Sequence, residues 1–405
     1  MPRTCTCTRP AMLLAAACGL ATTAPAAALT SATLTATDLA RRQVRIHRLG
    51  EDLLGFFDES RKLVEEPVEH FVRIDFEAAD DAEGTPSSPG DGAPRTASVR
   101  LVDGQRIVGA WRGVASGGQA IRLEHSALGV VTIEIDRIRL LSWSADGQAP
   151  ADPSVDRIAL RNGDRLEGFV AALRDDAVEV TLADQAQPIV VPLGRVTSIA
   201  LANPVRPTPS TLDRVAFHDG TTVLATRSRI ESDQLSFAPA VANGHAQAVV
   251  KIGLSKVARL ELRRSGHRLV DLASLPRQVM TGAEVFGVPM PPRIDGGHLW
   301  LHAPLMLRVD LPPGATRFAA VARLDDSRFA AGAAAWADLV LRIFVDGDLR
   351  AEQRLHAGAA EATINIEADG ALLQFEADPA NHGPILDRLV LHDAVVLIHA
   401  EEDAR

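Results

Sequence analysis

A chain of 405 residues has room for two to four ordinary domains at about 150 residues each. Its 46% hydrophobic and 23% charged residues exclude a disordered chain and a multi-span membrane protein. Lys+Arg 42 against Asp+Glu 52 leaves a net charge of -10, and with no compensating basic block a nucleic-acid backbone is not an expected partner.

Residues 1–28 carry Arg3 and Arg9, the apolar run from Ala11 to Ala21, and small residues ending Ala26-Ala27-Ala28. A basic start, a short apolar middle and an A-x-A end predict a Sec-type signal peptide cleaved near Ala26 or Ala28, hence a secreted or periplasmic protein. The run is too short for a membrane helix, so no integral span is expected in the mature chain. Cys5, Cys7 and Cys18 all fall in this leader, which leaves the mature chain without disulfides, thiolate metal sites or thiol nucleophiles. The aliphatic residue ahead of Cys18 sits one place too far upstream for a lipoprotein signal, and lipid anchoring is not expected.

Three stretches then share one layout of strand, turn and strand: Val99 to Val108, Ile158 to Gly168 and Val215 to Leu224. Their turns, Asp103-Gly104, Asn162-Gly163 and Asp219-Gly220, are dipeptides suited to two-residue hairpins whose central residues both need φ > 0. Related endings recur at Val72-Arg73-Ile74, Ile138-Arg139-Leu140, Val196-Thr197-Ser198-Ile199 and Val257-Ala258-Arg259-Leu260. The first member, beginning near Gln43, carries Gly50-Glu51 where the others have their hairpin; a short helix over Leu49 to Val64 is the competing assignment. Between hairpin and ending, Val131, Ile133 and Ile135 alternate with Thr132, Glu134 and Asp136, the period of a strand with one buried face. Val178, Val180 and Leu182 alternate in the same way with Glu179, Thr181 and Ala183. Linkers rich in Pro, Gly, Ser or Asp are expected at residues 80–94, 144–154 and 203–210. The expected units are thus 41–78, 98–144, 156–202 and 213–264. In hairpin layout they resemble Sm-like small barrels. Units of this size bury little area each and are expected to pack on their neighbours. Trp111 and Trp143 are expected as packing residues within them.

Beyond Arg268, short strands and turns alternate to the end of the chain, with hairpin signals at Asp346-Gly347 and Asp369-Gly370 and with Ile364 and Ile366 alternating against Thr363, Asn365 and Glu367. An antiparallel sandwich over 266–398 is expected. The fold class is therefore all-β: tandem small meander or barrel units followed by a jelly-roll β-sandwich.

Within that region, His302-Ala303-Pro304, the strand ending Asp310-Leu311-Pro312-Pro313-Gly314, Arg317-Phe318, Leu324-Asp325-Asp326, Phe344-Val345-Asp346-Gly347 and Asp387 to Ala394 appear in one order. This order resembles the carbohydrate-binding module family known as NPCBM, found attached to glycoside hydrolases and in secreted bacterial proteins. The resemblance implies a galactose-binding-like jelly roll and a carbohydrate or envelope glycan as partner. The chain departs from the family pattern at Leu391, where Trp is usual, and at Arg323, where Gly commonly precedes the acidic pair.

A sugar in water is recognised by a flat apolar platform for its C–H face and by planar polar groups for its hydroxyls. Strand spacing places His298, Trp300 and His302 on one face, with Leu299 and Leu301 on the other. These three, with Trp336 and the loop carboxylates Asp325 and Asp326, are the candidate ligand-binding residues; the competing assignment puts Trp300 in the core and the histidines at the surface. No HExxH helix accompanies the histidines, and two carboxylates fall short of a calcium shell, so no metal or other cofactor is expected. No G-x-S-x-G, mature thiol or phosphate loop is present, and no catalytic activity is expected. The function read from sequence is an exported, non-catalytic glycan-binding protein whose repeats serve as spacer or protein-contact surface. The alternative is a scaffold of the cell envelope, with an envelope protein as partner and no sugar binding.

Overall fold

The computed structural model describes residues 30–77, 95–144, 154–183, 185, 187–206, 209, 211–240, 249–285, 287–295, 297–325, 337–380 and 387–399. The leader and the expected linker residues 80–94 and 145–153 lie outside these. The protein is all-β, with several antiparallel sheets. Among the described residues no helix is long and apolar enough to cross a membrane.

Residues 31–261 repeat one five-stranded antiparallel meander four times. In each, the first strand is flanked by the second and the fifth: Ser31–Ala36 lies between Arg41–Leu49 and Phe71–Phe76, and Thr96–Leu101 between Arg106–Ala115 and Ile138–Ser142. Asp156–Leu160 lies likewise between Arg165–Leu173 and Val196–Ala200, and Asp213–Phe217 between Thr222–Glu231 and Val257–Glu261. A three-residue 3-10 turn precedes each fifth strand, at Val68–His70, Ile135–Arg137, Leu193–Arg195 and Leu254–Lys256. The alternation seen in sequence sets which side is buried: Val131 and Ile133 are core, whereas Ile135 has passed into the 3-10 turn. Trp111 and Trp143 pack edge to face, 5.4 Å between ring centroids.

The first hairpin differs from the one expected at Gly50-Glu51. The meander starts earlier, at Ser31, and its turn is Asp38-Leu39, with Leu39 at φ 61 where the sister turns have Gly104, Gly163 and Gly220 at 81, 91 and 85. No glycine marks this turn, which hides it from a search for Asp-Gly. Residues 49–64 are strand and turn rather than helix, because Leu53–Phe57 and Leu63–Pro67 pair in register.

The turns themselves are not of the two-residue kind expected. In all four only the second residue of the dipeptide has φ > 0, and its N–H donates three residues back, as Gly104 does to the carbonyl of Leu101. This is a type I turn closed by a left-handed residue. The Asp or Asn side chain stabilises it by accepting the N–H two residues on, in Asp38–Ala40, Asp103–Gln105, Asn162–Asp164 and Asp219–Thr221.

Residues 267–399 form two large sheets packed face to face and a two-stranded ribbon of Ala283–Val285 with Val288–Met290. One runs Arg293–Asp295, His298–His302, Arg388–His399, Ala315–Leu324, Glu361–Glu367, with His267–Asp271 also on Arg388–His399. The other runs Arg277–Thr281, Leu305–Asp310, Leu372–Asp378, Asp338–Val345, Asp348–His356. Leu299, Leu301, Phe318 and Leu389 meet Leu307, Leu341 and Phe375 between them. Phe318 and Phe375 touch edge to face at 5.6 Å. Asp346-Gly347 makes the expected two-residue hairpin, both residues at positive φ. Asp369-Gly370 does not: the strands before and after it belong to different sheets, and the bend is held by the Asp346 carboxylate, which accepts from the N–H groups of Ala371 and Leu372. A Cβ on Gly370 would collide with that carboxylate.

The sandwich rests on the first meander. Leu39 and Val72 pack with Ala319 and Leu397, all buried, Arg41 pairs with Asp393 at 3.0 Å, and the amide of Asn365 donates to the Asp38 carbonyl at 2.9 Å.

Candidate functional site

The strand His298–His302 sits between Arg293–Asp295 and Arg388–His399, with Arg293 opposite Trp300 and Arg388 opposite His302. Leu299 and Leu301 enter the core at 1% and 3% exposure, so pleating turns His298, Trp300 and His302 to the other face. Asp325, just past the strand Ala315–Leu324, is brought alongside by its N–H, which donates to the Arg388 carbonyl at 2.9 Å.

A cleft of about 110 Å³ opens here, lined by Met290, Pro291, Arg293, Trp300, Leu301, His302, Asp325 and Arg388. Trp300 is half-buried, with the Arg293 guanidinium 4.6 Å from its ring centroid. Among the described residues its indole N–H has no acceptor. His302 is buried, and its Nδ1 lies 2.8 Å from the Ala303 carbonyl oxygen. Burial holds the His302 pKa below the usual histidine value; the carbonyl bond opposes this and the Arg388 cation adds to it. In the neutral ring the Nδ1–H donates to that carbonyl, which leaves Nε2 as an acceptor. The cleft thus joins two acceptors, Asp325 and His302, to two guanidinium donors and an apolar floor. A neutral polyhydroxylated ring, with donors, acceptors and C–H faces, matches that set.

Of the residues singled out in sequence, Trp300, His302 and Asp325 come together. His298 does not line the cleft. The register that pairs Leu299 with Leu391 carries His298 to His392, where the two ring centroids are 4.5 Å apart. Burial, then His298 and Arg323, lower the His392 pKa. Asp326 and Trp336 lie outside the described residues. Among the described residues no group of three or more His, Cys, Asp or Glu is placed to hold a metal.

Arg293, Arg388, Met290 and Pro291 were not singled out in sequence as ligand residues. Arg388 stands in the Asp387-Arg388-Leu389 stretch that carried the family resemblance, which was its available signal. Arg293, Met290 and Pro291 belong to two short strands and the link between them, Val288–Met290 and Arg293–Asp295, whose sequence carries no motif. Leu391 is fully buried in the sandwich core, so the residue type at that position bears on packing and not on the cleft.

No protein-family model matches the chain, and no curated protein matches it in sequence. Some solved structures are similar in part. The CBM51-2 and INT domains of ZmpB from Clostridium perfringens share 11% identity, with 46% of this chain and 44% of that chain covered and a TM-score of 0.27. The CBM51 module of a Clostridium perfringens GH95 protein, solved in complex with methyl-galactose, shares 14% identity, with 32% of this chain and 99% of that chain covered and a TM-score of 0.25. The tandem CBM51 modules of Sp3GH98, a family 98 glycoside hydrolase of Streptococcus pneumoniae, share 11% identity over 74% of this chain and 88% of that chain, at a TM-score of 0.24. Scores this low establish no family for the chain, and none of the three bears on a likeness of the meanders to Sm-like barrels.

Proposed function

We propose that the protein is an exported, non-catalytic binding protein that holds a sugar ring of a glycan in the cleft beside Trp300, with the meanders as spacer or protein-contact surface. The observation that carries this reading is the convergence of Asp325, His302, Arg293 and Arg388 on a half-buried indole whose N–H has no acceptor among the described residues. The polar groups offer both senses of hydrogen bond to hydroxyls, and the indole, Pro291 and Met290 offer apolar surface to the ring.

The full chain applied to a glycan array, with affinities for any retained glycan then measured by titration calorimetry, tests the reading. Binding that is weakened by Trp300→Ala and by Asp325→Ala supports it; retention of no glycan removes it. The rival, an envelope scaffold without sugar binding, draws on Arg293, which already covers one face of the indole. It predicts capture of envelope proteins that competing sugars do not displace.

A further inference from the structure

The four meanders present the same hairpin tip, and three of the tips make contacts with other described parts of the chain. The second strands begin at corresponding residues, Arg41, Arg106, Arg165 and Thr222, each paired six residues back, with Thr35, Arg100, Ala159 and Ala216. The first tip is covered by the sandwich, through Leu39, the Asp38 carbonyl and Arg41.

The second and fourth tips cover one another. Arg106 lies opposite Thr222, its own counterpart. The Val108 N–H donates to Thr221 Oγ1 at 3.0 Å, and the Leu224 N–H donates to Gln105 Oε1 at 2.8 Å. Val108 corresponds to Leu224 and Gln105 to Thr221, so the contact is reciprocal, the signature of a two-fold arrangement. It buries Gln105 and Thr221 to 1% and 0% exposure.

On the third tip the corresponding residues, Asp164, Arg165 and Glu167, are all exposed, and Phe169 beyond them is 68% exposed. We propose that this tip docks a second copy of the chain about a two-fold axis, in the register that joins the second and fourth meanders. Residue composition favours a self-match. With Arg165 opposite Arg165, the Glu167 of each copy falls on the diagonal beside the other's guanidinium, which offsets the repulsion of the facing arginines. Asp164, in the place of Gln105 and Thr221, presents a carboxylate to the partner's backbone N–H. Phe169 reaches toward Arg161 of the other copy, where an aromatic ring and a cation attract. The tip shares no residue with the cleft, and the proposal is independent of any sugar.

Sedimentation velocity of the full chain over a wide concentration range is expected to show a monomer–dimer equilibrium. Arg165→Glu and Glu167→Arg each place four like charges at the axis and are expected to weaken the dimer by about tenfold or more; the double variant R165E/E167R restores opposite charges and the dimer. Both residues are exposed and the Glu167 ion pair with Arg157 is a surface one, so at a concentration where the parent is monomeric each variant should melt close to the parent. As a second measurement, Arg165→Cys with Cys5, Cys7 and Cys18 changed to Ser should form a disulfide-linked dimer on oxidation. A chain that stays monomeric throughout and does not cross-link overturns the proposal, as does a dimer indifferent to both charge reversals, or a monomer that gains mass only when another envelope protein is added.

Discussion

The guanidinium of Arg293 lies 4.6 Å from the centroid of the Trp300 indole, held there because the two residues face each other across paired strands. Such a contact at a partly exposed site contributes about 0.5–1 kcal/mol. Arg293→Ala should lower the chain's stability by no more than this in urea unfolding, and should shift the Trp300 contribution to the emission toward longer wavelength as water reaches the ring. Trp300→Ala should weaken sugar binding by about tenfold or more, since the indole is the largest apolar surface in the cleft.

Protonation of His302 sets a pH dependence. An unfolded histidine titrates near about 6.5, and burial holds His302 lower in the folded chain. Between the two values the unfolded chain binds more protons, so stability is full above about 6.5 and declines as the pH falls toward the folded value. His392 is lowered in the same sense. Urea midpoints measured against pH should fall on acidification in the parent and more shallowly in His302→Gln. Sugar affinity should hold over that interval and fall only at lower pH, as the folded His302 itself takes up a proton and Nε2 ceases to be an acceptor.

Asp75 holds two cations, Arg73 at 2.6 Å and Arg259 at 2.6 Å, where the fifth strands of the first and fourth meanders pair. Arg73 is 2% exposed. Asp75→Asn removes the nearest counter-ion of that buried charge, leaving the weaker field of Asp393, and should cost about 3 kcal/mol, the lower end for a broken buried pair because Asp75 itself is partly solvated. Adding Arg73→Met to Asp75→Asn should recover part of the loss, which two-state denaturation of the three variants would show.

The turn side chains are alike in geometry and unequal in weight. Asp103 accepts from the Gln105 backbone and side chain and pairs with Arg137 at 3.0 Å in a buried setting. Asn162 makes the same backbone bond on an exposed tip. Asp103→Ala is expected to cost about 2 kcal/mol and Asn162→Ala at most about 1 kcal/mol. Equal losses would show that the covered tip adds nothing to its own turn.

Much of the architecture is legible in short stretches of sequence. The Asp-Gly and Asn-Gly turns locate three of the four meanders, and alternation marks two strands of one sandwich sheet, His298–His302 and Glu361–Glu367. The first turn was not legible, because Leu39 adopts a left-handed conformation that glycine usually signals. The crossover at Asp369-Gly370 was not legible either, since a turn dipeptide does not say whether the next strand stays in the same sheet. At the cleft, Trp300 and His302 could be assigned to one strand face, while Arg293 and Arg388 arrive from neighbouring strands.

The sequence by itself determined the all-β class, the hairpins of three meanders and the buried side of the few strands with clean alternation, because these depend on turn chemistry and a period of two acting within a few residues. Only the tertiary structure decided that His298 meets His392 rather than the cleft, that Arg388 stands beside His302, and that Asp164, Arg165 and Glu167 stay exposed on the third tip. Those outcomes depend on register between strands far apart in the chain, and no local pattern carries that information.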